Sequence, residues 1–288
     1  AKFTPTVSGT AQVTGRLNRA QKASLEWAYL SYTGVSDWTF QIGRKRLPLY
    51  YYSDFQDIGY AYNTIRPAPD VYGWDVVNYN GASARYQTRL GDWAVRQDFF
   101  AGGESSKNNP YYKLIQDEKQ TVDWKNIVGA SLELNQDWFT TRLTYVQSKF
   151  QQTDETLGQL VVQPSGATSG RQKFYGIAMN ADLDNWIIRS EYAIADRADY
   201  AYKAKFYLIN AGYRIGQFIP TLGFSRYAES SPFPIYNPLH NHTSTVALRY
   251  DLTNKSDLKI QYDRMTETSG TPFAGSAKVI AISYDVVF

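Results

Sequence analysis

The clearest pattern along the chain is an alternation of apolar with small or polar positions, and it is most regular in residues 276–288. Counting back in steps of two gives one apolar face, made of Phe288, Val286, Tyr284, Ile282 and Ile280. The positions between them are small or mixed in character. A period of two residues is typical of a β-strand with one apolar face, so this stretch is predicted to be a strand.

The same alternation recurs along the rest of the chain and predicts about fourteen strands. Turn-forming residues such as Gly34, Asn185 and Gly216 join some neighbours tightly, and long polar connections join the others. Tight turns and long connections alternate, which places both ends of the sequence on the side of the tight turns. The predicted strands cover residues 5–16, 22–34, 37–46, 75–90, 92–102, 119–135, 138–150, 171–183 and 276–288. Five further strands before the last one are marked by alternating apolar positions that begin at Trp186, Tyr207, Phe218, Val246 and Leu258.

Composition indicates that this sheet lies in a membrane. The 288 residues include 24 Tyr, 14 Phe and 7 Trp, yet the mean hydropathy is −0.45 and no apolar run approaches the length of a spanning helix. In a membrane barrel only half of each strand faces lipid, so the average stays polar, and closure of the sheet pairs every backbone group. A soluble β-sandwich also has short strands and Gly-rich turns, but it does not alternate its loop lengths so regularly.

We therefore predict an all-β fold: a transmembrane, antiparallel, up-and-down β-barrel that forms one domain over residues 1–288. Short periplasmic turns and long external loops would connect its strands. The absence of Cys fits an oxidising compartment.

The other face of each strand would then line a water-filled lumen. Its charged side chains would be costly in a packed soluble core but are normal in a channel. Some of these charges are expected to form ion pairs along the wall, because they lie two residues apart on one face of a strand. The expected pairs are Arg96 with Asp98, Arg189 with Glu191, and Arg249 with Asp251. The predicted lumen-lining residues are Arg85, Arg89, Arg96, Asp98, Arg142, Arg189, Glu191, Arg214 and Arg249.

The most specific stretch is residues 43–74, which contains Arg-Lys-Arg, a Pro, Tyr-Tyr-Tyr, Ser-Asp, Gly-Tyr-Ala-Tyr and Arg-Pro in that order. Together with Leu-Glu-Trp-Ala-Tyr-Leu-Ser-Tyr at 25–32 and with Phe288, it resembles the porin-like outer-membrane proteins of Gram-negative bacteria. The resemblance is clear over residues 22–74 and loose afterwards. A connection this long and aromatic is also unusual for an exposed loop.

The resemblance implies that residues 47–74 fold into the barrel and narrow it. It implies an outer-membrane location, contact with lipid and lipopolysaccharide, recognition by the barrel assembly machinery, and a possible homotrimer. Many members have sixteen strands, so sixteen stays open beside the count of fourteen. By position, the constriction residues implied are Arg44, Arg46, Asp54, Asp57, Arg66 and Asp70. The terminal insertion signal implied is Tyr284, Val286 and Phe288.

The predicted function is that of a porin, a water-filled channel for the passive diffusion of small hydrophilic solutes. Across all the inner faces eight cations, the seven arginines above and Lys259, stand against six anions, which are Asp98, Glu133, Asp182, Glu191, Asp251 and Asp263. Arg44 and Arg46 add positive charge at the constriction, which favours anions weakly. The acids Asp54, Asp57 and Asp70 would oppose this and give a transverse field. The net charge of +3 is too small and too evenly spread to predict nucleic-acid binding.

Three other classes of function stay open. An adhesin, receptor or assembly partner would act through its external loops. An enzyme would need a nucleophile or an activated water, generally with His beside an acid. The two His residues, His240 and His242, have no acidic or Cys residue beside them in sequence, so no catalytic residue, metal or cofactor is predicted. A transporter of hydrophobic substrates would need an apolar lumen, which the charged inner faces contradict.

Overall fold

The computed structural model describes residues 1–15, 23–233, 237–269 and 275–288. Within these residues the chain forms fifteen β-strands and five short helices. The strands are β1 (Val7–Gly15), β2 (Ala23–Val35), β3 (Trp38–Arg46), β4 (Asn78–Leu90), β5 (Trp93–Ser106), β6 (Gln120–Gln136), β7 (Phe139–Asp154), β8 (Gln159–Leu160), β9 (Ser169–Leu183), β10 (Trp186–Arg197), β11 (Tyr202–Tyr213), β12 (Phe218–Ser230), β13 (His240–Thr253), β14 (Ser256–Glu267) and β15 (Ala277–Val286). The helices are two α-helices, α1 (Pro69–Tyr72) and α2 (Pro110–Gln116), and three 3₁₀ turns at Ser53–Phe55, Gly59–Ala61 and Ala198–Tyr200.

One antiparallel sheet contains every strand, and each long strand pairs with the next along the chain. The two-residue strand β8 pairs only with β7, which leaves fourteen strands in series and confirms the predicted up-and-down order. Within the described residues, β1 and β15 share no ladder. The outer edge of β1 is instead covered by the first residues of the chain, since Ala1 and Gly9 exchange backbone hydrogen bonds of 2.7 and 2.8 Å.

The tight turns follow directly from their residues. Asp37, Gly91, Asp137, Asp184 and Gly216 all have a positive φ, between 36° and 64°. Gly adopts this left-handed conformation without steric cost, and Asp tolerates it better than most residues. These turns all lie at one end of the sheet, and the long connections lie at the other.

Aromatic pairs cluster beside the tight turns. Trp38 lies 5.0 Å from Tyr86 between ring centroids, and Trp186 lies 4.9 Å from Tyr213. A third pair, Phe218 with Tyr250, is separated by 4.7 Å. Amphipathic rings collected at one level of a barrel are typical of a membrane interface.

The two faces of each strand differ in the predicted way. On β12, Leu222 is 65% exposed whereas its neighbour Thr221 is 2% exposed, and on β15 Ile282 is 75% exposed. Outward apolar side chains of this number would be unfavourable in water, and lipid accommodates them. No helix in the described part of the chain is long and apolar enough to cross a membrane.

A bulge in β6 changes which residues face inward. The register against β7 shifts between Lys125 and Val128, and Asn126 has a φ of +53°. Before the bulge Trp124 is 2% exposed, and after it Val128 is 50% exposed. The extra residue reverses which alternate positions of the strand face inward. The apolar side chains before the bulge therefore point to the inner face of the sheet, which simple alternation does not predict.

Strands β5 and β7 end at Ser106 and Asp154, beyond the predicted ends at residues 102 and 150. The predicted connection of residues 47–74 extends to residue 77, because β4 begins at Asn78 rather than at residue 75. The predicted end of the first strand, at residue 16, and the predicted start of the second, at residue 22, lie outside the described residues.

We expect adjacent residues of β4 to differ in chemical accessibility. The protein has no Cys, so a single introduced thiol reports on one position. In reconstituted protein, Ser83→Cys should react with a water-soluble methanethiosulfonate, because the Ser83 hydroxyl lies on the polar inner face, 2.8 Å from Lys45 Nζ. Ala82→Cys should stay unreacted, because Ala82 lies on the exposed outer face. Both thiols should react after unfolding in detergent, and a reversed pattern in the folded protein would contradict the assignment of faces.

Candidate functional site: a polar lumen and the segment inserted into it

Residues 47–77, called here the inserted segment, form an apolar core inside the curve of the sheet. Its aromatic side chains pack on inward-facing rings of the wall: Tyr50 lies 5.3 Å from Phe174 of β9, and Trp74 lies 5.1 Å from Phe206 of β11, between ring centroids. Leu47 is 1% exposed at its start. Fully burying such a side chain stabilises a fold by about 1.5–3 kcal/mol. The predicted insertion of this connection is therefore present as a packed core.

Local packing gives the inserted segment a compact shape. Tyr52 lies 4.9 Å from Tyr62 and 5.4 Å from Phe55, between ring centroids. The Tyr62 hydroxyl donates to the Phe55 carbonyl oxygen at 2.9 Å. Burial raises the pKa of both the Tyr52 and the Tyr62 hydroxyl, so the two groups stay neutral at physiological pH.

Polar side chains of the wall hold the inserted segment at β10, β12 and β13. Glu191 accepts a hydrogen bond of 2.8 Å from the Tyr51 amide and a second from the Tyr72 hydroxyl. Asp70 of α1 accepts from the Ser225 hydroxyl at 2.6 Å and from the Asn241 amide at 3.1 Å. Each of these carboxylates serves as an anchor, and Glu191 and Asp70 are 7% exposed.

Strands β13 and β14 add a second group of anchors. Arg249 Nη1 donates to the carbonyl oxygens of Tyr60 and Tyr62 at 2.7 and 2.9 Å. Lys259 Nζ donates to the Gly59 carbonyl oxygen at 2.6 Å, and the Ile65 amide donates to Gln261 at 2.7 Å. The inserted segment therefore lies against the half of the sheet from β9 to β14.

The opposite half of the wall carries a cluster of paired and partly exposed charges. Asp98 of β5 accepts from Arg85 Nε at 2.6 Å and from Arg96 Nε at 2.9 Å, and Arg96 also lies 3.5 Å from Glu133. The Arg85 and Arg96 side chains are 28% and 24% exposed, whereas that of Lys259 is fully buried. Water therefore reaches the inner face at β4 to β6, where the inserted segment leaves room.

Asp54 on the inserted segment faces this charged wall. It interacts electrostatically with Lys45 of β3 and with Arg96. Lys45 is held in place by Ser83, at 2.8 Å, and by Gln41. An acid on one side of a narrow passage and cations on the other create a field across the passage.

The residues that the resemblance implied for the constriction have different environments. Asp54 faces the charged wall, whereas Arg44 pairs with Glu104 at 2.8 Å and donates to the Leu25 carbonyl oxygen. Arg46 is 6% exposed and pairs with Glu26, at 3.0 Å, and with Asp57. Arg66 lies 3.4 Å from Asp263, and Asp70 is one of the anchors described above. The structure thus brings Asp54 and Asp57 near cations of β3 and distributes the others along the wall.

The residues predicted to line the lumen also divide into groups. Arg85, Arg96 and Asp98 form the charge cluster on β4 and β5, whereas Glu191 and Arg249 hold the inserted segment. Arg189 pairs with Asp182 at 2.8 Å instead of with Glu191, and Arg249 pairs with Asp251 at 2.6 Å. Arg142 is 2% exposed with Ser131 at 3.5 Å, Arg214 pairs with Asp251 at 3.3 Å, and Arg89 is exposed near the tight turns.

Sequence reasoning missed two inner-face contributors. Glu26 is a buried acid in the segment of residues 25–32, whose resemblance to porins was noted for its sequence and not for this side chain. Gln261 is a neutral side chain of β14 that anchors the inserted segment. Glu26 could have been identified because it is the one charged residue of β2. Gln261 carries no such signal, because its partner, the Ile65 amide, is distant in sequence.

The two His residues do not form a reactive cluster. His240 Nε2 lies 2.8 Å from the Glu229 carbonyl oxygen, and His242 stacks on Phe224 with ring centroids 5.8 Å apart. In the described ranges there is no group of three side chains suited to holding a metal ion.

Comparison with solved structures identifies the fold. No family model matches the chain, and no curated protein matches it by sequence. Among solved structures, OmpF of Salmonella typhi, in a complex with daunomycin, superposes with a TM-score of 0.65 at 13% identity, over 99% of this chain and 86% of that one.

Two further structures are similar. An anion-selective porin from Comamonas acidovorans gives a TM-score of 0.60 at 11% identity, over 91% of this chain and 74% of that one. OmpT of Vibrio cholerae, an outer-membrane protein in its trimer form, gives 0.54 at 10% identity, over 98% and 88%. The chain therefore has the fold of the outer-membrane porins, which confirms the predicted resemblance at the level of the fold.

Loss of the Glu191 anchor should loosen the inserted segment. Glu191→Ala would leave the Tyr51 amide and the Tyr72 hydroxyl buried without their acceptor, at a cost of about 1–3 kcal/mol for each group. We expect a lower unfolding temperature and, in planar bilayers, a larger and noisier conductance. Asp92→Ala removes a carboxyl group from an exposed tight turn and should match the parent protein. Equal conductance and noise in both variants would show that this anchor does not hold the segment.

Proposed function

We propose that the protein is an outer-membrane porin that allows small hydrophilic solutes to diffuse passively across the outer membrane of a Gram-negative bacterium. The observation that carries the proposal is the charge cluster of Asp98 with the partly exposed Arg85 and Arg96, which faces Asp54 on the inserted segment. Charged side chains left accessible inside a lipid-facing sheet are stable only in water. Residues 1–288 act as one unit, because the long strands form one continuous sheet and the inserted segment packs inside it.

The passage is proposed to favour anions weakly. Lys45, Arg85 and Arg96 supply positive charge along one wall, and Asp54 balances part of it from the other side. A field of this kind orients a solute more than it excludes one sign of charge, so the preference is small. The anion-selective Comamonas porin with this fold supports the direction of the preference.

Reversal potentials test this proposal and identify the residues involved. In a salt gradient, Arg96→Gln should shift the reversal potential towards cation preference, because it removes a partly exposed charge from the passage. Lys255→Gln changes the net charge equally but removes a side chain from an exposed tight turn, away from the passage, so its shift should be smaller. The Arg96→Gln shift should diminish above about 1 M salt, where the screening length falls to roughly 3 Å. A parent channel that prefers cations at low salt would contradict the anion preference.

Single-channel recording separates the porin from the other classes. An adhesin, receptor or enzyme whose lumen is filled by its own inserted segment would not conduct, whereas a porin must. No catalytic role is proposed, and the passage needs no cofactor.

The porin is proposed to assemble as a homotrimer in contact with lipid and lipopolysaccharide, after recognition of its last strand by the barrel assembly machinery. Tyr284, Val286 and Phe288 are 61%, 43% and 105% exposed on one face of that strand, as a recognised signal must be. The exposed Ala82 and the neighbouring Ala84 give a small-residue surface on which a second copy can pack closely.

Light scattering in a mild detergent tests the trimer. The protein mass, after subtraction of the detergent, should be three times the chain mass of 32.8 kDa. Ala82→Trp should lower it, because a large side chain would separate the copies, and Leu222→Trp on a distant outer face should leave it unchanged. A single-chain mass for the parent protein would contradict trimer formation.

A further inference from the structure

A cavity of about 280 Å³ lies at the end of the barrel where the long connections gather. Its walls come from α2, from the connection that follows β7, from the outer ends of β10 to β12, and from Trp74 and Asp75 of the inserted segment. It is separate from the charged cluster at Arg85 and Arg96, which does not contribute to its lining. The volume lies close to the lower end of the range for small-molecule sites.

One wall of the cavity is a chain of hydrogen-bonded planar groups. Gln163 Nε2 donates to Gln152 at 2.8 Å, and Gln152 Nε2 donates to Gln120 at 3.0 Å. Gln120 in turn donates to Glu118. Each amide in this chain retains a second N–H donor and a second acceptor lone pair, so the wall presents donors and acceptors in fixed, alternating positions.

The remaining lining is rich in aromatic rings that are held rigidly. Tyr200 donates its hydroxyl to the Phe150 carbonyl oxygen at 2.9 Å, which leaves the ring as a lining surface. The Arg197 guanidinium lies 3.7 Å from the Phe150 ring centroid and 5.1 Å from that of Trp74. Tyr112 completes this surface from α2.

The lining holds one ion pair and two further carboxylates, Glu118 and Glu229. Arg197 pairs with Asp75 at 2.7 Å, with side chains only 8% and 3% exposed. Glu229 accepts from Tyr202 and Tyr227 and from the Leu239 amide. The lining therefore carries more acidic than basic groups, which disfavours an anionic ligand, and its amide chain suits a neutral ligand with many hydrogen-bonding groups.

We propose that this cavity binds a neutral, polyhydroxylated solute of the size of a monosaccharide. Hydroxyl groups both donate and accept, so they match the amide chain, and the C–H faces of a sugar ring pack on flat aromatic rings. The inference rests on the proposed function in one respect: at the external mouth of a porin, the site would hold sugars at the entrance of the passage.

Calorimetry tests the site without requiring conduction. D-Glucose titrated into the detergent-solubilised full chain should bind saturably with a Kd on the order of millimolar. Tyr112→Ala should raise the Kd by about tenfold or more, whereas Tyr112→Phe, which keeps the ring, should change it by less than about twofold. Gln163→Ala should also weaken binding. Gln159→Ala, an exposed amide of the same connection that does not line the cavity, should leave it unchanged.

The outcomes distinguish this inference from the proposed function. Absence of glucose binding, binding of tetramethylammonium or glutarate in its place, or an unaltered Kd in both Tyr112→Ala and Gln163→Ala would overturn the sugar site. Bilayer recording on the same samples reports separately on the channel: glucose should reduce the ion current of the parent protein more than that of Tyr112→Ala. A protein that binds glucose but never conducts would refute the porin and leave the site standing.

Discussion

The apolar contact between the inserted segment and the inner wall is the interaction on which the rest of the structure depends. Inside a lipid-facing sheet, each inward side chain must be either solvated or packed against another part of the chain. Tyr50, Trp74 and Leu47 of the inserted segment pack against inward rings such as Phe174 and Phe206. These contacts bury surface that water would otherwise solvate unfavourably, and they determine which half of the lumen is filled.

The hydrogen-bonding side chains that anchor the inserted segment determine where it packs on the wall. Apolar contact alone lacks direction, whereas the hydrogen bonds from Glu191 and Arg249 reach particular backbone groups of the inserted segment. A connection of this length carries many backbone groups that need partners once buried. The polar residues of β10 and β13 supply several of them, so these residues stabilise the closed half of the lumen. The charged residues of β4 to β6 pair with one another, and Arg85 and Arg96 stay partly exposed because the inserted segment packs on the other half of the wall.

Much of the fold could be predicted from the sequence, because a lipid environment imposes a period of two on every strand. The strand order and the tight turns at residues such as Asp184 and Gly216 followed from this alternation and from turn chemistry. The apolar residues that face inward could not be predicted in the same way. Phe174 and Phe206 are apolar residues at alternate positions that the pattern assigns to the polar inner face. Trp124 faces inward only because of the bulge at Asn126.

The type of site could be predicted from the sequence, but the ion pairs within it could not. A long aromatic connection with mixed charges indicated an inserted segment, and Asp54 does face cations. The partners of Arg189 and Arg44 could not be read from spacing, because each pairs across strands: Arg189 with Asp182 on β9, and Arg44 with Glu104 on β5. Such pairs depend on register and on the twist of the sheet, which alternation alone does not specify.

The two ends of the inserted segment have separate roles in the lumen. Near its start, Asp54 faces the charged wall and sets the field across the passage. Near its end, Trp74 and Asp75 form part of the mouth cavity, where Asp75 fixes Arg197 against the aromatic rings. Because the packed core between Tyr50 and Phe206 connects these two ends, a change in that core would alter the width of the passage and the shape of the cavity together.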